Sequence, residues 1–262
     1  MTKHSKVKIN LTGRNIMVTR PKPLGDILCE HIEKAEGKAV YFPTIDIEHP
    51  ADTTILKHQI AKLSHQDWLI FISPQAVFAS SKLIHQVWPI FPLHLKIAAI
   101  GAGTAKILHQ ENFPEVLYPD SHWHSEGLLD LPEFRQVRGA KITLVRGEGG
   151  REWLADTLTV RGALVSQMVV YRRLLPHVDT SEYTNLLQSG QIDIIVTTSN
   201  ECMRNLKYLF EDSWQFLQTI PLVVISQRMF DLAVEMGFQQ IFLAKNAGHS
   251  AIMDALSLIK EG

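Results

Sequence analysis

Cysteine is nearly missing from this chain. Cys29 and Cys202 are the only two among 262 residues, and both fall in stretches of helical patterning. That excludes a disulfide scaffold and a cysteine-built metal site, and it fits a reducing compartment. An excess of either charge is also missing: 26 Lys and Arg stand against 27 Asp and Glu, a formal net charge of -1. No broad basic field is available to draw in nucleic acid or a membrane surface, so neither is expected as a partner, and a polyanionic ligand would have to be met locally. No run approaches the ~18 consecutive apolar residues of a membrane span. The polar opening MTKHSKVKIN shows no secretory pattern, and residues 1–14 read as a loose leader, so a soluble cytoplasmic protein is expected. Hydrophobic residues make up 45% of the chain, enough for one large or two ordinary domain cores.

The most legible stretch runs from Lys141 to Pro176. Ile142, Leu144 and Val145 form a short apolar strand, and Arg146-Gly147-Glu148-Gly149-Gly150 is too rich in glycine to continue it. Trp153, Leu154, Leu158 and Val160 then recur at helical spacing, Gly162 stops the helix, and Leu164 to Tyr171 returns to strand texture. The whole is a βαβ unit. Its loop offers backbone N–H groups at a helix N-terminus between Arg146 and Arg151, a combination that favours an anion.

The same plan opens the chain, with a strand at Ile16–Thr19, a proline-rich turn, a helix over Leu24–Glu36 closed by Gly37, and a second strand over Ala39–Ile47. Further elements recur at a spacing of 125 residues: the turn at Ser73 with that at Thr198, Gly101 with Ser226, and Ser125 with Ser250. Each half alternates strands and helices, which calls for parallel sheets with ligand-facing loops at the carboxyl ends of the strands. The simplest boundary between the halves lies near residue 135. The long strands ending at Pro50 and Pro176 offer another division, in which both leave their own sheets and cross as a paired linker.

Read together, these segments resemble the uroporphyrinogen-III synthase family nearly end to end, in its gamma-proteobacterial form. The likeness rests on Val18-Thr19-Arg20-Pro21, Ala99-Ile100-Gly101 with Thr104-Ala105, and Leu144-Val145-Arg146-Gly147 with Gly149-Gly150-Arg151. It continues through Asp156-Thr157-Leu158, Arg161-Gly162-Ala163 and Tyr171-Arg172-Arg173. The resemblance implies two similar parallel-sheet α/β domains joined by a two-stranded β linker, with the active-site cleft between them. It selects the crossing-strand division: residues 1–45 with 175–262 as a discontinuous first domain, 50–168 as the second, and 46–49 and 169–174 as the linker. It also implies a cyclising lyase of haem biosynthesis. Its substrate would be hydroxymethylbilane, a linear tetrapyrrole with eight carboxylates, and the product uroporphyrinogen III with ring D inverted and water lost.

Tyr171 matches the family's tyrosine and is the catalytic candidate. For the carboxylates the candidates are Arg20, Ser73, Gly101, Thr104, Ser125, Arg146, Thr198, Ser199, Ser226 and Ser250, at strand-to-helix turns whose N–H groups suit anions. Two turns depart from the family pattern. Ser226-Gln227-Arg228-Met229 stands where the family often has adjacent threonines, and Ile72-Ser73-Pro74-Gln75 keeps only a serine and an amide. No cofactor and no metal is implied. A monomer is expected, and the reading leaves room for a transient contact with hydroxymethylbilane synthase.

Other features read more plainly. Gly101-Ala102-Gly103-Thr104-Ala105-Lys106 lacks both the third glycine of a dinucleotide loop and the Gly-Lys-Ser/Thr ending of a P-loop, so it reads as a packing turn. His122 and His124 flank Trp123 without an obvious third ligand and read as surface residues. Arg172 and Arg173 read as solvated or ladder-pairing charges. A two-lobed binding module without catalysis, closing on a small polyanion, remains the alternative, and a cofactor-dependent transferase or oxidoreductase a third reading.

Overall fold

Alternating strands and helices sort into two sheets in the computed structural model, which describes residues 9–120, 125–150 and 152–259. The strands are β1 (Asn15–Val18), β2 (Lys38–Tyr41), β3 (Asp46–Glu48), β4 (Trp68–Phe71), β5 (Lys96–Ala99) and β6 (Val116–Leu117). They continue with β7 (Lys141–Gly147), β8 (Leu164–Leu174), β9 (Ile194–Val196), β10 (Leu222–Val224) and β11 (Ile241–Leu243). Between them run α1 (Leu24–Lys34), α2 (Thr54–Ala61), α3 (Pro74–Val87), α4 (Ala102–Gln110), α5 (Ser125–Leu129), α6 (Pro132–Arg135) and α7 (Trp153–Val160). The remaining helices are α8 (Ser181–Gln188), α9 (Asn200–Leu209), α10 (Trp214–Thr219), α11 (Gln227–Glu235) and α12 (His249–Leu256). The chain divides into two compact units, Met1–Ile47 with Leu174–Gly262, and Glu48–Arg173.

In the first unit the sheet order is β11-β10-β9-β1-β2, and each pair is parallel. Its central strands are apolar on both faces because helices cover both. Ile16, Val18, Ile194, Val196 and Val223 join Leu28 and Ile32 of α1 and Ile252 and Leu256 of α12 in one core. Their neighbours Met17, Ile195, Leu222 and Val224 point the other way, onto Met203 and Leu206 of α9, Leu217 of α10 and Met229 of α11. The period of two along each strand assigns the side chains to the two cores.

The second sheet has the order β3-β8-β7-β4-β5-β6, and the β4–β5, β4–β7, β5–β6 and β7–β8 pairs are parallel. Apart from β3 at the edge, both sheets follow one plan. The strand pair that opens each βαβ unit lies on one side, and three further strands run outward on the other. Numbered along the chain, the first sheet is 2-1-3-4-5 and the second, β3 aside, 3-2-1-4-5, both orders of doubly wound folds.

Four expectations need correction. The leader does not reach residue 14: Leu11 is buried and its N–H donates to the Ala35 carbonyl at 2.7 Å, while residues 1–8 lie outside the described ones. Helix α1 is not closed by Gly37 alone, for Glu36 takes the left-handed turn at φ 68. Ala39–Ile47 is not one strand. It breaks at Phe42–Ile45, where Pro43 offers no N–H to a ladder. Thr44 turns inward there, donating to the Cys202 carbonyl at 3.1 Å and accepting from Asn205 Nδ2 at 2.7 Å. As a result β2 and β3 belong to different sheets, whereas β8 stays in one sheet throughout its length.

The spacing of the repeat is not constant either. The serine that caps α9 is Ser199, which lies 126 positions after its counterpart Ser73 (199 − 73). Ser226 keeps a separation of 125 from Gly101 (226 − 101). One residue has been inserted between the turns, and the cap geometry reveals it where the pattern of hydrophobic residues does not.

Candidate active site

In a doubly wound sheet the connections leave in opposite directions at one point, and the crevice this opens lies at the carboxyl ends of the two strands involved. In the first unit that point falls between β1 and β9, and in the second between β7 and β4. The segments just beyond it are Thr19-Arg20 and Thr197-Thr198-Ser199 in the one, and Gly147–Gly150 and Ile72-Ser73 in the other.

The second unit builds its site around Tyr171. The β7–β8 register runs evenly from Lys141↔Leu164 to Arg146↔Val169 and then slips, so that Gly147 faces Tyr171. Such bulges commonly re-aim a side chain beside a functional site. Here the slip lays the phenol ring over Gly147, where a Cβ would stand 2.5 Å from Tyr171 Cζ and 2.6 Å from Cε2. Only glycine leaves room for the ring. Tyr171 is 4% exposed, and its hydroxyl lies 3.3 Å from Ser73 Oγ at the end of β4. Ser73 in turn accepts the Ala76 N–H at 3.1 Å as the N-cap of α3, which fixes its hydroxyl beside the phenol.

Arg146, a candidate for the carboxylates, is held by its own surroundings. Its guanidinium turns inward: Nη1 donates to Glu152 Oε1 at 3.0 Å and to Gln167 Oε1 at 3.2 Å, Nε donates to the Gly147 carbonyl, and Nη2 to that of Gly149. These bonds tie it to the loop in which Gly149 and Gly150 take φ of 69 and 93. Thr104 is buried in the first turn of α4, Gly101 is the N-cap of that helix, and Ser125 begins α5. Arg151, His122 and His124 lie outside the described residues.

In the first unit, Thr19 clips the switch point shut by donating to the Val196 carbonyl at 2.9 Å. Arg20 is 8% exposed and donates through Nη1 to the Ala247 carbonyl at 3.0 Å, and no carboxylate among the described residues pairs with it. Desolvation by burial pulls it down to about 10, so it keeps its charge at neutral pH and would gain from an anion. Thr197, just beyond β9, is fully buried and its hydroxyl has no partner among the described residues. Ser199 and Ser226 cap α9 and α11, accepting the Cys202 and Met229 N–H groups at 3.0 and 3.4 Å. Thr198 precedes the first of these caps, and Ser250 is exposed in the first turn of α12. Ser199→Ala is expected to cost about 1 kcal/mol in urea denaturation, the usual scale for a lost N-cap, and Ser226→Ala less because its bond is longer.

Neither thiol is a nucleophile. Both cysteines are free; burial pushes Cys29 up to about 11 and Cys202 upward as well, so thiolate is scarce at neutral pH.

A recess of about 350 Å³ beside Tyr171 is lined by Glu48, His49, Pro50, Ala51, Glu148, Val169 and Arg172. Glu48 and Arg172 form an ion pair in it; the Arg172 hydrogen bond holds the Glu48 carboxyl below its usual range, and the same bond holds Arg172 above its own. Of these lining residues and the partners of Arg146, sequence reasoning named Tyr171 and Arg172 for roles of their own, Pro50 as a strand end, and Gly147, Glu148 and Gly149 as parts of the glycine loop; Glu48, His49, Ala51, Glu152, Gln167 and Val169 it did not weigh. A signal was available for part of this: Gln167 and Val169 share one period-two face of β8, but the slip at Gly147 breaks that period before Tyr171.

The family description Uroporphyrinogen-III synthase HemD matches residues 26–254. The uroporphyrinogen-III synthase of Escherichia coli K12 is 35% identical over 249 residues, covering 92% of this chain and 99% of its own. The chain belongs to the uroporphyrinogen-III synthase family. The synthase of Salmonella typhimurium LT2 is 34% identical over the same shares of both chains. Among solved structures, a mutant uroporphyrinogen III synthase of the extreme thermophile Thermus thermophilus superposes with a TM-score of 0.62 at 17% identity, over 95% of this chain and all of its own. The Helicobacter pylori 26695 uroporphyrinogen-III synthetase gives 0.54 at 20% identity, over 94% of this chain and all of its own. These structures share the two-domain α/β fold.

For a member of the uroporphyrinogen-III synthase family, this arrangement offers one buried phenol held against a serine hydroxyl, flanked by N–H-rich turns. No group of His, Cys, Asp and Glu that could hold a metal occurs among the described residues. What the site can supply is a positioned proton and hydrogen bonds.

Proposed function

We propose that this chain converts hydroxymethylbilane into uroporphyrinogen III, closing the linear tetrapyrrole with inversion of ring D and loss of water. The observation that carries the reading is the end-to-end match to the enterobacterial synthases, with the family's tyrosine at a switch point and its hydroxyl against that of Ser73.

In this reading Tyr171 gives its proton to the terminal hydroxyl as the C–O bond breaks. Water leaves, and the pyrrole nitrogen lone pair turns the terminal ring into an azafulvenium cation. Attack by the substituted carbon of ring D forms a spiro intermediate, which fragments and recloses with that ring reversed. The proton lost from ring D at closure returns to the phenolate. The pyrroles carry the chemistry, and the protein's part is to fold the chain and suppress head-to-tail closure. The eight carboxylates would be met at Arg20, whose buried charge lacks a carboxylate partner among the described residues, and at the capped turns of Ser73, Gly101, Ser199 and Ser226, with Thr104, Ser125, Thr198 and Ser250 in or next to the first turns of the helices. Arg146 would act through the loop it bonds to.

The same reading takes residues 1–45 with 175–262 and residues 50–168 as the two domains, with 46–49 and 169–174 as linking strands. The two compact units support it. The enzyme would work in the cytoplasm as a monomer, with a transient contact to hydroxymethylbilane synthase. No described helix is long and apolar enough to cross a membrane.

The test is to generate hydroxymethylbilane in place with its synthase, add this protein, oxidise the products and separate the isomers. Predominant uroporphyrin III supports the reading. Isomer I alone, from folded protein, overturns it in favour of a binding module.

A further inference from the structure

Among its described lining residues the recess beside Tyr171 carries one more negative than positive charge. Of its charged lining residues, Glu48 and Arg172 neutralise each other, which leaves Glu148. Glu148 accepts no hydrogen bond among the described residues, and its one resolved interaction is the long-range pull it exerts on Arg172. Its position is set by the backbone: the Glu148 N–H donates to the Tyr171 carbonyl at 2.8 Å, directly after the slip that seats Gly147 under the phenol. A residue bearing a carboxylate thus lines the same recess as the proton donor of a reaction whose substrate carries eight carboxylates.

Repulsion makes this a poor place for any of those eight. It suits the opposite sign. Once the terminal hydroxyl has left as water, the ring that carried it is a cation whose nitrogen still bears a hydrogen. Resting on the reaction proposed above, we infer that Glu148 is a further catalytic residue. Its carboxylate accepts a hydrogen bond from the terminal pyrrole N–H and stabilises the azafulvenium formed when the C–O bond breaks. No bond to Glu148 is made or broken and no proton is transferred to it; the electron pair of the C–O bond leaves with the oxygen, which Tyr171 protonates. Because the ring is neutral before ionisation and cationic after it, the interaction is stronger in the transition state than in the ground state, and it acts on turnover rather than on binding.

The experiment compares wild type, Glu148→Gln and Glu148→Asp by the isomer-resolved assay, with melting curves for each. Wild type must first yield isomer III; isomer I alone removes the reaction and this inference with it. Given isomer III, Glu148→Gln is expected to lower kcat by roughly 10- to 100-fold. KM should stay unchanged or fall, since a charge that repels the substrate's carboxylates is gone, and Glu148→Asp should recover part of the rate. Both variants should melt with wild type, because the side chain is exposed and its anchoring bond is a backbone one. A wild-type kcat in Glu148→Gln, or a rise in KM alone, overturns the inference while leaving the reaction standing.

Discussion

Replacing Tyr171 by phenylalanine is expected to lower the rate of uroporphyrinogen III formation by ~10²-fold or more, the usual scale for a general acid. The substitution keeps the ring over Gly147 and removes one atom. Ser73 Oγ loses a neighbour at 3.3 Å but still accepts the Ala76 N–H at 3.1 Å, so no buried acceptor is left without a donor, and the melting temperature should barely move. The terminal hydroxyl would then depart without a proton from the protein, and product should shift toward isomer I as spontaneous closure competes. Single-turnover kinetics with isomer separation measure both. Wild-type turnover in this variant would remove Tyr171 from the mechanism.

Gly147→Ala should approach the same loss by a different route. A methyl group there would sit 2.5 Å from Tyr171 Cζ and 2.9 Å from its hydroxyl, well inside van der Waals contact. The ring must move by about an ångström, and misplacement on that scale costs of order 10²-fold in rate. Crowding a buried contact should also destabilise the protein by about 1–3 kcal/mol, which denaturant titration would detect. The double variant separates the two routes. If the methyl group acts on catalysis by displacing the hydroxyl, adding Gly147→Ala to Tyr171→Phe should slow turnover little further. Losses that multiply would mean that Gly147 matters for something other than the phenol.

What was legible in the sequence is what nearest neighbours along the chain decide. Helix caps are of this kind: a serine before a helix bonds to an N–H three residues on, so Ser73, Ser199 and Ser226 were recognisable as turn residues. The glycine loop after β7 was equally plain, because Gly149 and Gly150 occupy a backbone region other residues avoid. Both limbs of the βαβ unit followed from hydrophobic period, and order and spacing along the whole length were enough to reveal the family.

The direction in which Arg146 points was not of this kind. From sequence it flanked an anion-friendly loop, but its guanidinium is drawn inward by Gln167, 21 residues away, and by carbonyls of the loop itself. The single-residue insertion in the repeat escaped notice because a shift of one leaves strand and helix texture intact and shows only in which hydroxyl meets an N–H. The passage of β2 into β3 escaped for a similar reason: apolar texture continues through Phe42 and Ile45, yet a proline and an inward-turned Thr44 separate two sheets.

By itself, then, the sequence determined the alternation of strands and helices, the capped turns, the glycine loop and membership of the family, since each rests on short-range periodicity or on motifs in order. Tertiary structure alone decided that β2 and β3 join different sheets, that Arg146 bonds to carbonyls of its own loop, and that Ser73 meets Tyr171 across 98 positions. It also decided the slip that brings Gly147 beneath the phenol and Glu148 beside it. The physical reason is the same throughout. Side-chain direction and strand register are set by partners that are distant in sequence, and only the packed fold brings them within hydrogen-bonding reach.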